Sequence, residues 1–150
     1  NMPQANQSFF LQEASFNMMN FMEFMSDEYV SLKVTHNFNG AIFNKIPLFK
    51  HLKLREIISC KVLYGRLTDG NDPAQHPDLF RFPVEDDGMP ISYKFDNAVP
   101  YVEASVGVGN IFKILRIDLL QRFTYLDNHD VGSTFGVKGL GIRAKGKVDF

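Results

Sequence analysis

Apolar and polar residues alternate along five segments of the chain, and a sixth is densely apolar. In Tyr29–Phe38, Val30, Leu32 and Val34 alternate with Ser31, Lys33 and Thr35. Arg55–Gly65 places Ile58, Cys60, Val62 and Tyr64 on one face. Pro100–Val108 sets Val102, Ala104, Val106 and Val108 against Tyr101, Glu103, Ser105 and Gly107. In Leu115–Tyr125, Ile117, Leu119, Phe123 and Tyr125 oppose Arg116, Asp118, Leu120, Arg122 and Thr124. The last segment, Gly139–Phe150, opposes Ile142, Ala144, Val148 and Phe150 to Arg143, Lys145, Lys147 and Asp149. Period two marks strands with one apolar and one polar face. With Phe16–Met25 as a first strand, the pattern predicts an all-β chain of about six antiparallel strands, one domain over residues 1–150.

The connections differ in character. Asn39–Leu54 holds Pro47, which suits the start of a short amphipathic turn, and Arg66–Val99 is long and polar, with Pro73, Pro77, Pro83 and Pro90. A run of that length without periodicity predicts a functional or mobile loop. Gly109-Asn110 predicts a tight turn, Leu126–Thr134 a short polar connection, and Gly136, Gly139 and Gly141 a bulge or close packing. No uncharged apolar run of about 18 residues occurs, so no transmembrane helix is expected; strands of a membrane barrel need only about 9–11 residues. The start, Asn1-Met2-Pro3-Gln4, lacks the pattern of a signal peptide. An exported chain would carry its leader upstream, and the abrupt start points to a piece of something longer.

The polar faces hold Glu103, Arg116, Asp118, Arg122, Arg143 and Lys145 on successive strands. In a barrel these would face the lumen as a ladder of ion pairs; in a soluble sandwich they would form a solvated face. Loop charge is consistent with a transmembrane barrel whose C-terminus is periplasmic. The loop 66–99, then extracellular, has seven acids against three bases, whereas Asn39–Leu54 has Lys45, Lys50 and Lys53 and no acid. Those three lysines are expected at the periplasmic membrane interface. The acidic turn Ser26-Asp27-Glu28 is the discordant element. Ile142, Ala144, Val148 and Phe150, an alternating strand ending on an aromatic, have the general form of a barrel-insertion signal. Six strands cannot close a bacterial barrel, which takes at least eight, so the barrel is incomplete in this chain.

Candidate chemistry changes the picture little. The net charge is −1, which removes a global field for nucleic acid. Cys60 is the single cysteine, so the chain has neither an internal disulfide nor a zinc cage. The four histidines lack metal-pair spacing, and Asp69-Gly70-Asn71-Asp72 lacks the distal acid of a calcium loop. Gly107-Val108-Gly109-Asn110 has no third glycine of a dinucleotide fingerprint. With no nucleophile elbow or paired catalytic carboxylates, no cofactor, metal or enzymatic activity is expected.

Longer strings carry a resemblance: Ala14-Ser15-Phe16-Asn17-Met18-Met19-Asn20, Glu23-Phe24-Met25-Ser26-Asp27, His36-Asn37-Phe38-Asn39-Gly40, Asn44-Lys45-Ile46-Pro47-Leu48 and Leu52-Lys53-Leu54-Arg55-Glu56. Pro100-Tyr101-Val102-Glu103-Ala104, Gly107–Lys113 and Arg122–Asp127 extend it. Together they resemble the C-terminal part of a Bacteroidota outer-membrane family of unknown function. Its members pair an upstream carboxypeptidase-regulatory-like domain with a terminal β-barrel; more remotely, that barrel is similar to the Omp85 class. The resemblance implies a non-enzymatic integral outer-membrane protein in transport, export or envelope assembly. Its partners would be outer-membrane lipid, the barrel assembly machinery during insertion, and other envelope proteins. Two alternatives stand beside it: a soluble β-barrel or sandwich binding an apolar ligand, and a surface interaction protein acting through the acidic loop.

Overall fold

A computed structural model describes residues 16–20, 22–47, 52–76, 78–79, 81, 83–128 and 131–146. Its strands are β1 (Phe24–Met25), β2 (Glu28–Asn37), β3 (Arg55–Arg66), β4 (Tyr93–Lys94), β5 (Tyr101–Ile111), β6 (Leu115–Arg122), β7 (Ser133–Thr134), β8 (Val137–Lys138) and β9 (Leu140–Gly146). Two single 3-10 turns, Phe43–Lys45 and Asp69–Asn71, lie in the connections, and Pro47 is helical. The described part of the chain is therefore mostly β, which fits an all-β fold. Strands β2, β3, β5, β6 and β9 form one antiparallel sheet in that order, each beside the strand that precedes it in the sheet. Among the described residues the sheet is open, with β2 and β9 at its edges.

The register puts the alternating residues into rows across the sheet. His36, Ile58, Val106, Leu119 and Ile142 form one apolar-face row, and Leu32, Val62 and Val102 another. On the opposite face Lys33, Lys61, Glu103 and Arg122 are aligned, as are Asn37, Ile57, Gly107, Asp118 and Arg143. Burial is the reverse of a water-soluble sheet. Val30 is 71% exposed, Val106 57% and Ile142 52%, while Asp118 and Arg122 are fully buried. The polar face is covered from within the chain. Phe16, Met19, Phe24 and Phe95 pack over Leu63 and Tyr101, with Tyr93 and Tyr125 at the margin. The rings of Phe24 and Phe95 stack 4.3 Å apart, and Phe16 meets Tyr101 edge-on at 5.4 Å. Gly65 makes room for this cluster, since a Cβ there would lie 2.4 Å from the Phe95 ring.

Several expectations are corrected. Phe16–Met25 is not a strand of the main sheet: among its described residues Phe24–Met25 form a strand, which pairs in parallel with β4. Its residues turn instead, with Met22 at φ 58°, because the segment's apolar side chains and backbone N–H groups cover the polar face. The turn after β5 is Phe112–Ile114 rather than Gly109-Asn110; past a bulge between Val108 and Ile111 the strand runs three residues further. Strand β6 ends at Arg122, so Phe123–Tyr125 lies beyond it. Part of the loop 66–99 folds inward, where Phe95 and Ser92 are each 1% exposed. Lys50, Val148 and Phe150 lie outside the described residues, as does the strand proposed for 147–150.

Candidate functional site

The buried charges of the polar face begin with Glu103 on β5, which is 2% exposed. A carboxylate there needs several donors, because desolvation without compensation costs many kcal/mol. It accepts from the backbone N–H of Asn17 at 3.0 Å, the N–H of Met18 at 2.9 Å and the Tyr101 hydroxyl at 3.1 Å. Lys61, its cross-strand neighbour on β3, lies 3.4 Å away. One strand carboxylate therefore pins the segment preceding β1 to the sheet.

Arg122, at the end of β6, is held on every side. Its guanidinium makes two contacts with Glu23, at 2.5 and 2.9 Å. It also donates to the carbonyls of Met18, Thr124 and Tyr125 and stands 5.0 Å over the Tyr101 ring. Asn128 donates to the same Glu23 carboxylate at 2.8 Å. A bidentate Arg–carboxylate pair with its remaining donors satisfied is the form in which a buried ion pair is tolerated.

Asp118 makes the third centre. Arg116 on its own strand donates at 2.7 Å and Arg143 on β9 at 2.8 Å, and Arg143 also donates to the Asn17 side chain. Opposite Asp118 is Gly107, where a Cβ would fall 1.9 Å from the carboxylate oxygen. Only glycine leaves that carboxylate its place. Gly141 does the same for Met18, whose sulfur would be 2.7 Å from an added Cβ.

Two further knots hold the connections. Glu56 accepts from the backbone N–H groups of Gly40, Ile42 and Phe43 and ties down the start of the β2–β3 connection. In the turn before β2, Asp27 accepts from the Thr68 hydroxyl, the Thr68 N–H and the Asn71 amide. The Thr68 and Asn71 side chains hold its carboxyl at about 2, below its ordinary 3.8. The turn that looked discordant by charge is thus the anchor of the loop that follows β3.

Residues 3–69 match the model of the C-terminal domain of a family of unknown function, DUF5686. The match supports the C-terminal part of such a family and covers the segment before β1 together with β2 and β3. Glu23 and Lys61 therefore lie inside it, while Glu103, Asp118, Arg122 and Arg143 lie beyond it. Comparison with curated proteins found no match, and neither did comparison with solved structures.

Glu103, Arg116, Asp118, Arg122, Arg143 and Lys145 do share one face. Five of them gather in three centres, around Glu103, Arg122 and Asp118, which Asn17, Met18 and Tyr101 link. Of the apolar face, Ile142 and Ala144 are exposed; of the lysines in the β2–β3 connection, Lys45 and Lys53 are exposed. Sequence pattern missed Asn17, Glu23 and Lys61 as members of the network. An acid set among Phe16, Met18, Met19, Phe24 and Met25 was the available signal, since a carboxylate in an apolar stretch calls for a buried cation.

Proposed function

We propose that the chain contributes part of the wall of an outer-membrane β-barrel, with its apolar face in lipid and its polar face lining a lumen. The observation that carries this is the inverted burial of the sheet: ion pairs covered, valines and isoleucines bare. A membrane barrel has that arrangement because lipid solvates the outward side chains and the interior is polar. From Val102 to Val108 the strand rises about 20 Å at roughly 3.4 Å per residue, near the about 25 Å apolar band of such barrels. Exposed aromatics flank the band, Tyr64 at the end with the long connections and Phe112 at the end with the short ones. Strands lacking here would complete the wall.

In this setting Lys45, Lys50 and Lys53 sit at the periplasmic interface, and Ile142, Ala144, Val148 and Phe150 serve recognition by the insertion machinery. The role is non-enzymatic, in transport, export or envelope assembly, as the family resemblance implies.

The test is a labelling scan of the full-length protein reconstituted in lipid vesicles. Spin labels are placed at Val106, Leu119 and Ile142 on one face and at Thr35 and Ser59 on the other. The first set should be relaxed strongly by oxygen and weakly by a water-soluble nickel chelate, the second set less by oxygen. Chelate access at Val106 and Leu119, or a folded protein that stays dissolved without detergent, would favour the soluble sandwich instead.

A further inference from the structure

The two most exposed large apolar side chains among the described residues are Phe135, at 84%, and Phe112, at 82%. Each stands at the tip of a tight turn, and the two turns lie at opposite ends of the sheet. Phe112 follows β5, where the Ile114 N–H donates to the Ile111 carbonyl at 3.2 Å. Phe135 lies in the connection from β6 to β9 and joins β7 to β8, which pair through Thr134 and Val137. Both central residues of each turn are left-handed: Phe112 and Lys113 at φ 50° and 69°, Phe135 and Gly136 at 53° and 75°.

Turns with two left-handed central residues favour Asn-Gly, Asp-Gly or Gly-Gly, whose first residue tolerates a positive φ. A bulky aromatic at that position is a steric outlier. At both tips the ring is bare, so packing within the turn does not offset the strain. Strain with so little packing inside the chain points to a contact outside it.

The surroundings of the two rings match. Two residues beyond each stands a second exposed aliphatic side chain, Ile114 and Val137. Each tip also has a lysine, Lys113 beside Phe112 and Lys138 beside Val137. Lys138 comes within 4.0 Å of Asp127, and both of those side chains are exposed. An apolar tip with an adjacent lysine fits a lipid interface, the ring entering the acyl layer while the ammonium reaches the phosphates. The spacing fits as well. Phe112 lies three residues before Leu115, Leu115 lies six before Gln121, and Phe135 lies five before Leu140, the partner of Gln121. At about 3.4 Å per residue the tips are at most roughly 48 Å apart along the strands. A barrel tilt of about 35–45° brings this to roughly 34–39 Å along the membrane normal, within the about 40–45 Å of a bilayer with its headgroups.

We propose that Phe112 and Phe135 are paired lipid anchors, one in each interface of the bilayer, which fix the depth of the wall between them. The pair rests on the assignment of the apolar face to lipid.

The experiment is fluorescence quenching of the full-length protein in phosphatidylcholine vesicles, read as the emission that F112W, F135W or V106W adds to the parent's. F112W and F135W should be quenched more by lipid brominated near the headgroup than by lipid brominated near the chain ends, and little by acrylamide. V106W, in the middle of the apolar face, should show the opposite depth preference. Any other pattern at either tip overturns the pair: acrylamide quenching alone places the tip in water, and shielding from all three quenchers places it under a protein. If V106W is still quenched by lipid, only the anchors are lost; if it is not, the lipid-facing wall is lost with them. F112N and F135N give a second measure. Asparagine is a residue these turns favour, so a role confined to the turn predicts that both variants keep or gain stability. As lipid anchors, each variant should lose about fivefold or more in its folded-to-unfolded ratio in vesicles under urea, from the apolar area the ring withdraws from water. A ratio equal to or above the parent's for either variant overturns the pair.

Discussion

Asp27 shows how far one side chain sets the state of a whole connection. Its carboxylate takes the Thr68 hydroxyl and N–H and the Asn71 amide, and the 3-10 turn Asp69–Asn71 follows at once. With its pKa near 2 in the folded chain against an ordinary 3.8, the bonds favour the ionised form. Their contribution is complete above pH 3.8, shrinks as pH falls, and is gone below about 2. Asp27→Asn should therefore lower protection from hydrogen exchange across 67–72 at pH 6 and abolish most of the loss of protection expected in the parent between pH 4 and about 2. An unchanged acid profile in the variant would show that another group controls the loop. Gly107 is the converse case, a residue defined by what it lacks, because the Asp118 carboxylate occupies the space of its missing side chain.

At the scale of elements, the five period-two segments were legible and became β2, β3, β5, β6 and β9. Each carries its apolar set on one face, so a register slip by one residue would invert it. Phe16–Met25 was not legible as what it is. Its Met and Phe residues suit a strand, yet what decides its path is Glu103, more than eighty positions away, and local pattern carries no trace of that partner. The fold-back of Phe95 and Ser92 was hidden for the same reason, since loop composition is polar whether or not it returns to the core. The segment's hold on the sheet can be tested at Glu103. Replacement by Gln keeps its shape and removes the charge that faces the two N–H groups and Lys61. E103Q should make the Asn17–Asn20 stretch cleavable by added protease while the β3–β5 pairing stays protected from exchange. Equal resistance of this stretch in variant and parent would assign its docking to the aromatic cluster alone.

Over the whole molecule the covered face is graded along the strands. An aromatic cluster lies at the long-connection end, ion pairs occupy the middle, and a cationic hollow occupies the short-connection end. Of the charges in that gradient, Lys33, Glu103, Arg116, Asp118, Arg122, Arg143 and Lys145 were legible from alternation, whereas Glu23 and Lys61 were not. Their grouping was not, because it needs the register: Lys33 meets Lys61 only once β2 and β3 are aligned. The acidic bias of the loop 66–99 and the basic bias of the short end both follow from sequence, and both point along the same axis.

The bonds that bind Phe16–Met25 to the sheet have an outcome in time as well as in space. The sheet grows between strands joined in sequence order, whereas Asn17 finds Glu103 across 86 positions, Glu23 finds Arg122 across 99 and Arg143 finds Asn17 across 126. Closing such long loops is slow, so contacts of this span tend to form after local ones. The sheet should therefore zip up first, with Glu23 and Arg122 still in water, and the segment should then settle over its polar face and expel that water. A residue whose partners arrive after the rate-limiting step governs how fast a protein comes apart, not how fast it forms. Glu23→Gln, which leaves Arg122 buried without its counter-charge, should lower stability by about 3–5 kcal/mol. Nearly all of that loss should appear as faster unfolding in detergent, with the refolding rate almost unchanged. A matching fall in the refolding rate would mean that the segment is part of the nucleus on which the sheet is laid.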